Sequence, residues 1–504
     1  MKRKKPFLMI FICTIILFHS TGFPQSRSLD VIPEEKLLKA MHSISSQLLY
    51  EYVAELSSDR YEGRLTGTEG YNAARWVASH FQEWGVEPLG DGGTYFQEFD
   101  IPYTLIFEGC EVTLHIPFKD AVIKKHYRYE DEFIPGSTSG SGEVTAEVVY
   151  VGYGVTASEL NYDDYGGVDV KGKIVLMERE VPVSQNVNAD LFQKWRPYSF
   201  HQTKLLNAVE HGAKGMLYNY GPIANPNNAY VADFIYSHVG DSVVKDLFSG
   251  TGRTHEEVVK KIKEKLQPQS FSTRKIVTIK NVTEHNPEGR GSNVMGILKG
   301  SDPVLSEEVI IIGAHLDHLG RCYEIMPGAN DNASGVAVLM GVAKELAESN
   351  LGFKRSVLFL CFGAEEQAVV GSEVYLESPK VPLDRTVCLM NLDGVGCGDR
   401  LHCLAGKNFP ALWEFINRAN VKYIHRIVES SHFHNLARPR LDAARFMWKG
   451  IPTVSFSSSG SRSYYHIAKD DVDTITPEIL EDLAQLLFLT VLDIANQDSV
   501  DFRN

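Results

Sequence analysis

From Ser292 to about residue 496 the chain alternates short, wholly apolar runs with helix-period segments. No other feature restricts its fold as much. Val309–Gly313 (VIIIG) is a continuous apolar run, the pattern of a strand covered on both faces. Ser356–Phe362 (SVLFLCF), Thr386–Leu392 and Pro452–Phe456 repeat it. Between and after them, Ser334–Glu348 predicts an amphipathic helix and Thr476–Ala495 a long closing helix. Strand–helix alternation over ~200 residues predicts an α/β fold, with a mixed, mostly parallel sheet sandwiched by helices.

The preceding residues read differently. Tyr71 to Trp84 places Ala74, Val77, Ala78, Phe81 and Trp84 at helical spacing, and Gly85 stops the run. From Val112 to Val183 the period shortens toward two, with glycines punctuating short strands such as VVYVGYGV and GKIVLMERE. Lys204 to Gly215 returns to a helix and is followed by the strand MLYNY. This predicts a β-rich module over 111–285, separate from residues 40–110 before it and from a main domain at 290–500. The polar, turn-rich NVTEHNPEGRGSN marks the boundary.

The first 26 residues are set apart as a signal peptide. Lys2, Arg3, Lys4 and Lys5 precede a 13-residue apolar stretch, Pro6 to Phe18, with small residues at Ser20 and Gly22. That stretch is short of the ~20 residues a bilayer requires, so the expectation is an exported protein, periplasmic or extracellular, with no stable membrane span after leader removal. Losing four basic residues takes the formal charge from −14 to −18, which argues against a nucleic-acid partner. Six cysteines remain, none at zinc-thiolate spacing, and Cys361 and Cys388 read as small core residues.

The chemistry sits where the apolar runs end. After VIIIG comes Ala314-His315-Leu316-Asp317, and after SVLFLCF comes Gly363-Ala364-Glu365-Glu366. Asn391-Leu392-Asp393-Gly394 ends the next strand, and Tyr464-Tyr465-His466 follows the last. Gly328-Ala329-Asn330-Asp331-Asn332 leads into the first long helix. In open parallel sheets ligands bind at the carboxyl ends of strands. Singly, each residue has a bland reading: Asp331 as a helix cap, Asp393-Gly394 as a turn, Glu365-Glu366 as a solvated loop, His315 or His466 as a surface histidine. Five such loops together point to a metal cluster. Two imidazoles and three carboxylates suit a pair of zinc ions. Asp317 can accept the other imidazole N–H of His315. Of Glu365 and Glu366, one can ligate while the other serves as general base.

These five motifs, in this order, resemble the co-catalytic dizinc aminopeptidases, the zinc exopeptidases of clan MH. The resemblance implies His315, Asp331, Glu366, Asp393 and His466 as ligands of two Zn²⁺ ions, with Asp331 bridging. It implies Glu365 as the general acid/base and Asp317 as the carboxylate behind the first histidine. The stretch GYGV…NYDDYGGVDVKGKIVLMERE…KLLNAVEHGAKGMLY is similar to the protease-associated (PA) domain often inserted in this family. In place of the family's Ser-Asp-His before a Phe, the chain has Leu441-Asp442-Ala443-Ala444-Arg445-Phe446, so details of the substrate pocket do not carry over. Tyr465 is a candidate to hydrogen-bond a developing oxyanion.

The expected activity is an exopeptidase, foremost an aminopeptidase acting on the N-termini of peptides or proteins. A carboxypeptidase of the same family would need cations facing a substrate carboxylate, and Arg438, Arg440, Arg445 and Arg462 are the candidates. A non-catalytic ectodomain on this fold would have lost ligands that are present here. A single-metal, glutaminyl cyclase-like acyltransferase fits less well with both histidines and the insertion.

Overall fold

The computed structural model describes Leu29, residues 32–434 and residues 440–503. The leader expected at 1–26 and the candidate Arg438 lie outside the described residues. Among the described residues no helix is long and apolar enough to cross a membrane.

A nine-stranded mixed sheet organises the main domain. Its strands are β1 (Glu87–Pro88), β2 (Phe96–Asp100), β3 (Arg290–Leu298), β4 (Val309–His315), β5 (Ser356–Phe362), β6 (Thr386–Leu392), β7 (Arg400–Leu404), β8 (Val428–Ser430) and β9 (Thr453–Ser459). They lie in the order β1-β3-β5-β4-β6-β9-β7-β8, with β2 also on β3. Among its helices are α1 (Ser46–Leu56), α2 (Ala73–Glu83), α3 (Ser334–Glu348), α4 (Val370–Glu377), α5 (Asp442–Trp448) and α6 (Pro477–Asn496).

The VIIIG run is apolar throughout because both of its faces are covered. Ile310 and Ile312 pack into a core shared with α1, α2, α3 and α6. Ile311 packs on the opposite face, with Tyr375 of α4 and Phe446 of α5. Helix α3 departs from the amphipathic expectation, being buried on nearly every side, because α1 and α6 cover the face that the sheet leaves free.

The register of the central strands decides where the chemistry converges. β4 runs parallel to β5 and β6, with His315 opposite Phe362 and Ala314 opposite Leu392. β9 continues the parallel set, with Phe456 opposite Leu392. The loops that leave these strands therefore open from one edge of the sheet.

The chain departs from this sheet after Asp100 and rejoins it at Arg290, which pairs with Asp100. Between these points lies an eight-stranded sheet, where Gly142–Tyr150, Ile174–Glu178, Gly215–Asn219 and Ile235–Val239 run parallel. Helices His201–Glu210, Asp241–Phe248 and His255–Lys265 accompany it. The turn-rich boundary segment holds a strand, Thr283–Asn286, antiparallel to Tyr103–Ile106. Its polarity reflects its place at the edge of a small four-stranded sheet that also takes in Arg321–Cys322 of the loop after β4. The six cysteines after the leader are free and buried.

Candidate metal centre

Asp331 stands at the middle of the cluster. Its Oδ1 lies 3.3 Å from His315 Nε2 and its Oδ2 lies 3.3 Å from His466 Nε2. Asp393 Oδ1 is 3.7 Å from His315 Nε2, and Glu366 Oε2 is 3.1 Å from His466 Nε2. The structure thus brings together all five residues singled out at the strand ends. His315, Asp331, Glu366 and His466 are buried. Among the described residues, two donor groups have the spacing to hold a metal ion: His315 with Asp331 and Asp393, and His318 with Asp331 and Glu366.

The charge balance of this pocket calls for cations. Burial alone would lower the pKa of His315, but hydrogen bonds to Asp331 and Asp393 and the charge of Glu365 drive it well above the usual range. His466 is raised the same way, against burial, by Glu366 and Asp331. Glu365 is pushed well up by burial and by the charges of Glu366, Asp442 and Asp393, against the pull of His315.

Asp317 is placed differently from expectation. Its carboxylate is 3.8 Å from His315 Nδ1, whereas its own backbone carbonyl is nearer, at 3.1 Å. The carboxylate accepts the backbone N–H groups of Glu365 and Glu366 at 3.1 and 3.2 Å. Through these two bonds it sets the loop that carries both glutamates. Burial pushes its carboxyl up to about 7, with His315 pulling the other way.

Residues missed by sequence reasoning hold the remaining loops. Asn332 joins three of them: Nδ2 donates to Leu392 O at 2.9 Å and His315 O at 3.3 Å, while Oδ1 accepts from Gly335 N and Gly394 N. Asp470 accepts the N–H groups of Asn330 and Asp331, each at 3.0 Å. Arg64, fully buried, donates to the carbonyls of Leu56, Leu316, Pro327 and Gly328 at 2.6–2.9 Å. His318 Nδ1 lies 3.1 Å from Glu366 Oε1, and its buried Nε2 has no hydrogen-bond partner among the described residues. The repeat of histidine three residues after His315 was the signal that could have found His318.

Residues 293–491 match peptidase family M28, and residues 144–239 match the PA domain. All five candidate ligands, His315, Asp331, Glu366, Asp393 and His466, fall within the M28 match. Aminopeptidase YwaD of Bacillus subtilis (strain 168) is 26% identical over 508 residues, spanning 96% of this chain and 92% of that protein. An aminopeptidase from Aneurinibacillus sp. strain AM-1 superposes with a TM-score of 0.65 at 22% identity, covering 93% of this chain and 98% of its own. A zinc aminopeptidase from Bacillus subtilis gives 0.61 at 20% identity, covering 91% and 97%.

A cavity beside the cluster is lined by Glu365, Glu366, Val369, Arg440, Tyr465 and His466 of the main domain. Its other wall comes from the insertion, with Phe200, His201, Tyr220, Asn225 and Asn227. Tyr465 is half exposed, and its ring stacks on His466 at 3.6 Å between centroids. Of the candidate arginines, Arg440 donates to Glu180 at 2.6 Å and Arg445 pairs with Glu373 at 2.9 Å. Arg462 lies over the Tyr464 ring. Asp442 and Phe446 are buried, Phe446 against Phe362 and Tyr375.

Proposed function

We propose that the protein is an exported zinc aminopeptidase that removes N-terminal residues from peptides. The observation that carries this is the double engagement of Asp331, whose two oxygens each face a different imidazole at 3.3 Å. A carboxylate so placed is suited to bridge two ions. His315 and Asp393 would complete one site, and Glu366 and His466 the other. The donor set of imidazoles and carboxylates is one that zinc takes. Zinc bound there supplies Lewis acidity, polarising a carbonyl and making water a stronger acid.

The rest of the chemistry belongs to the chain. Among the described residues Glu365, unlike Glu366, is in neither donor group, and it stands at the cavity wall. A carboxylate at that wall can take a proton from water and return it to the leaving amine. Asp317 fixes that glutamate through its backbone N–H. Tyr465, which lines the cavity, would donate to a developing oxyanion. Carboxylates lining the cavity favour a cationic N-terminus, whereas a carboxypeptidase needs an unpaired cation, and Arg440 is paired with Glu180. The basic leader with its apolar core supports export, and the division into 40–110, 111–285 and 290–500 is retained as our domain scheme.

Peptides with free N-termini, assayed beside their N-acetylated twins, test the reading. Cleavage confined to the free-amine set, abolished by chelation and restored by Zn²⁺, is expected. Release of C-terminal residues from both sets would instead make the protein a carboxypeptidase.

A further inference from the structure

The two candidate ligand histidines are oriented from different parts of the molecule. His315 Nδ1 faces a carbonyl of its own loop, Asp317 O, at 3.1 Å. His466 Nδ1 faces Ala224 O at 2.8 Å, and Ala224 belongs to the inserted PA domain. The contact is reciprocal, since the Ala224 N–H donates to the carbonyl of His466 at 3.0 Å. A carbonyl only accepts, so this bond keeps the proton on Nδ1 and leaves the Nε2 lone pair aimed at Asp331 and Glu366.

The pair is braced on both sides. His238 Nδ1 donates to Ile223 O at 2.6 Å, and Asn225 N donates to Ser137 Oγ at 3.0 Å, which fix the Ala224 segment. On the other side, Ala468 N donates to Glu130 Oε1 at 3.2 Å, and Lys469 lies 3.8 Å from Glu130 Oε2. His466 itself has a φ of +58°, a left-handed conformation that a non-glycine residue holds only when its surroundings fix it.

We infer that the inserted domain is a positioning element of the metal centre. Through the Ala224 carbonyl it sets the tautomer and aim of His466, and so the affinity for the ion held by Asp331, Glu366 and His466. The ion held by His315, Asp331 and Asp393 does not depend on it. This rests on the dizinc reading above.

The test uses the full chain loaded with zinc, with release to a colorimetric chelator followed in time. Ala224→Pro removes the N–H half of the clasp. Glu130→Ala loosens the same loop from further away, and carries the test if Ala224→Pro does not fold. One of the two ions should leave about tenfold faster in either variant, the range seen when outer partners of a ligand histidine are lost, while the other leaves at the wild-type rate. Glu130→Gln, whose amide oxygen still accepts from Ala468, should restore wild-type release. Cobalt-loaded protein should show the same single-site change in its visible absorption. Release curves that overlay the wild type, or that accelerate equally for both ions, overturn the inference. A wild-type chain that retains no zinc overturns the dizinc reading, and this inference with it.

Discussion

Asp331 and Glu365 separate two kinds of loss at the scale of single residues. Asp331 faces both imidazoles, so Asp331→Asn should strip metal from both sites. Glu365→Gln should retain full metal content and lose turnover by roughly 10²–10⁴-fold, the usual contribution of a general base. Metal analysis beside kcat decides; near-wild-type kcat in the Glu365→Gln variant would move the proton transfer elsewhere. His315, Glu366, Asp393 and His466 were legible because each ends or follows a buried strand, a position at which a parallel sheet presents side chains to a ligand, and Asp331 because it leads into the long helix α3. Arg64 and Asp470 were not, because both act on backbone groups, Arg64 on four carbonyls and Asp470 on two N–H groups. A backbone acceptor has no residue type, so nothing in the sequence pairs Arg64 with Leu316 or Gly328.

Elements were legible in proportion to their burial. β5 and β6 are found at the residues read from their apolar runs, and α3 spans Ser334–Glu348 as its pattern predicts. Helix His255–Lys265 was not read, because its mostly charged sequence buries only Val258 and Ile262. The start of α4 offers a test in which propensity and packing oppose one another. Alanine is preferred to glycine in a helix by up to about 1 kcal/mol. A Cβ on Gly371, however, would come 2.2 Å from Gly363 O and 2.4 Å from Asn293 Oδ1. Gly363 begins the loop that bears Glu365 and Glu366, and Gly371 N already donates to its carbonyl at 2.9 Å. Gly371→Ala should therefore destabilise by about 1–3 kcal/mol, the cost of overpacking. It should also lower kcat, because the general base is displaced with the loop. Denaturant unfolding and kcat on the same preparation check both; a stabilised variant would mean that propensity outweighs packing here.

At the scale of the whole molecule the insertion supplies a wall of the cavity and a brace for His466, and it also sets a limit on acid stability. His238 lies fully buried on strand Ile235–Val239, ringed by Tyr218, Tyr220 and Tyr236. Burial lowers its pKa to about 4, with His466 pushing the same way and the Ile223 carbonyl opposing. His201, across the Tyr218 ring, is lowered as well, chiefly by burial. The unfolded chain takes up its proton near pH 6.5, so between pH 6.5 and 4 the unfolded state binds more protons than the folded one. Stability must then fall as the pH drops through that window, by on the order of 3 kcal/mol for His238 alone. His238→Asn keeps an N–H donor for Ile223 O and removes the titration. Denaturant unfolding of zinc-free protein at pH 7, 5.5 and 4.5 should give a shallower acid limb for that variant than for the wild type. Parallel limbs would place the acid sensitivity outside His238. A flattened limb would place it in the same segment that holds Ala224 against His466.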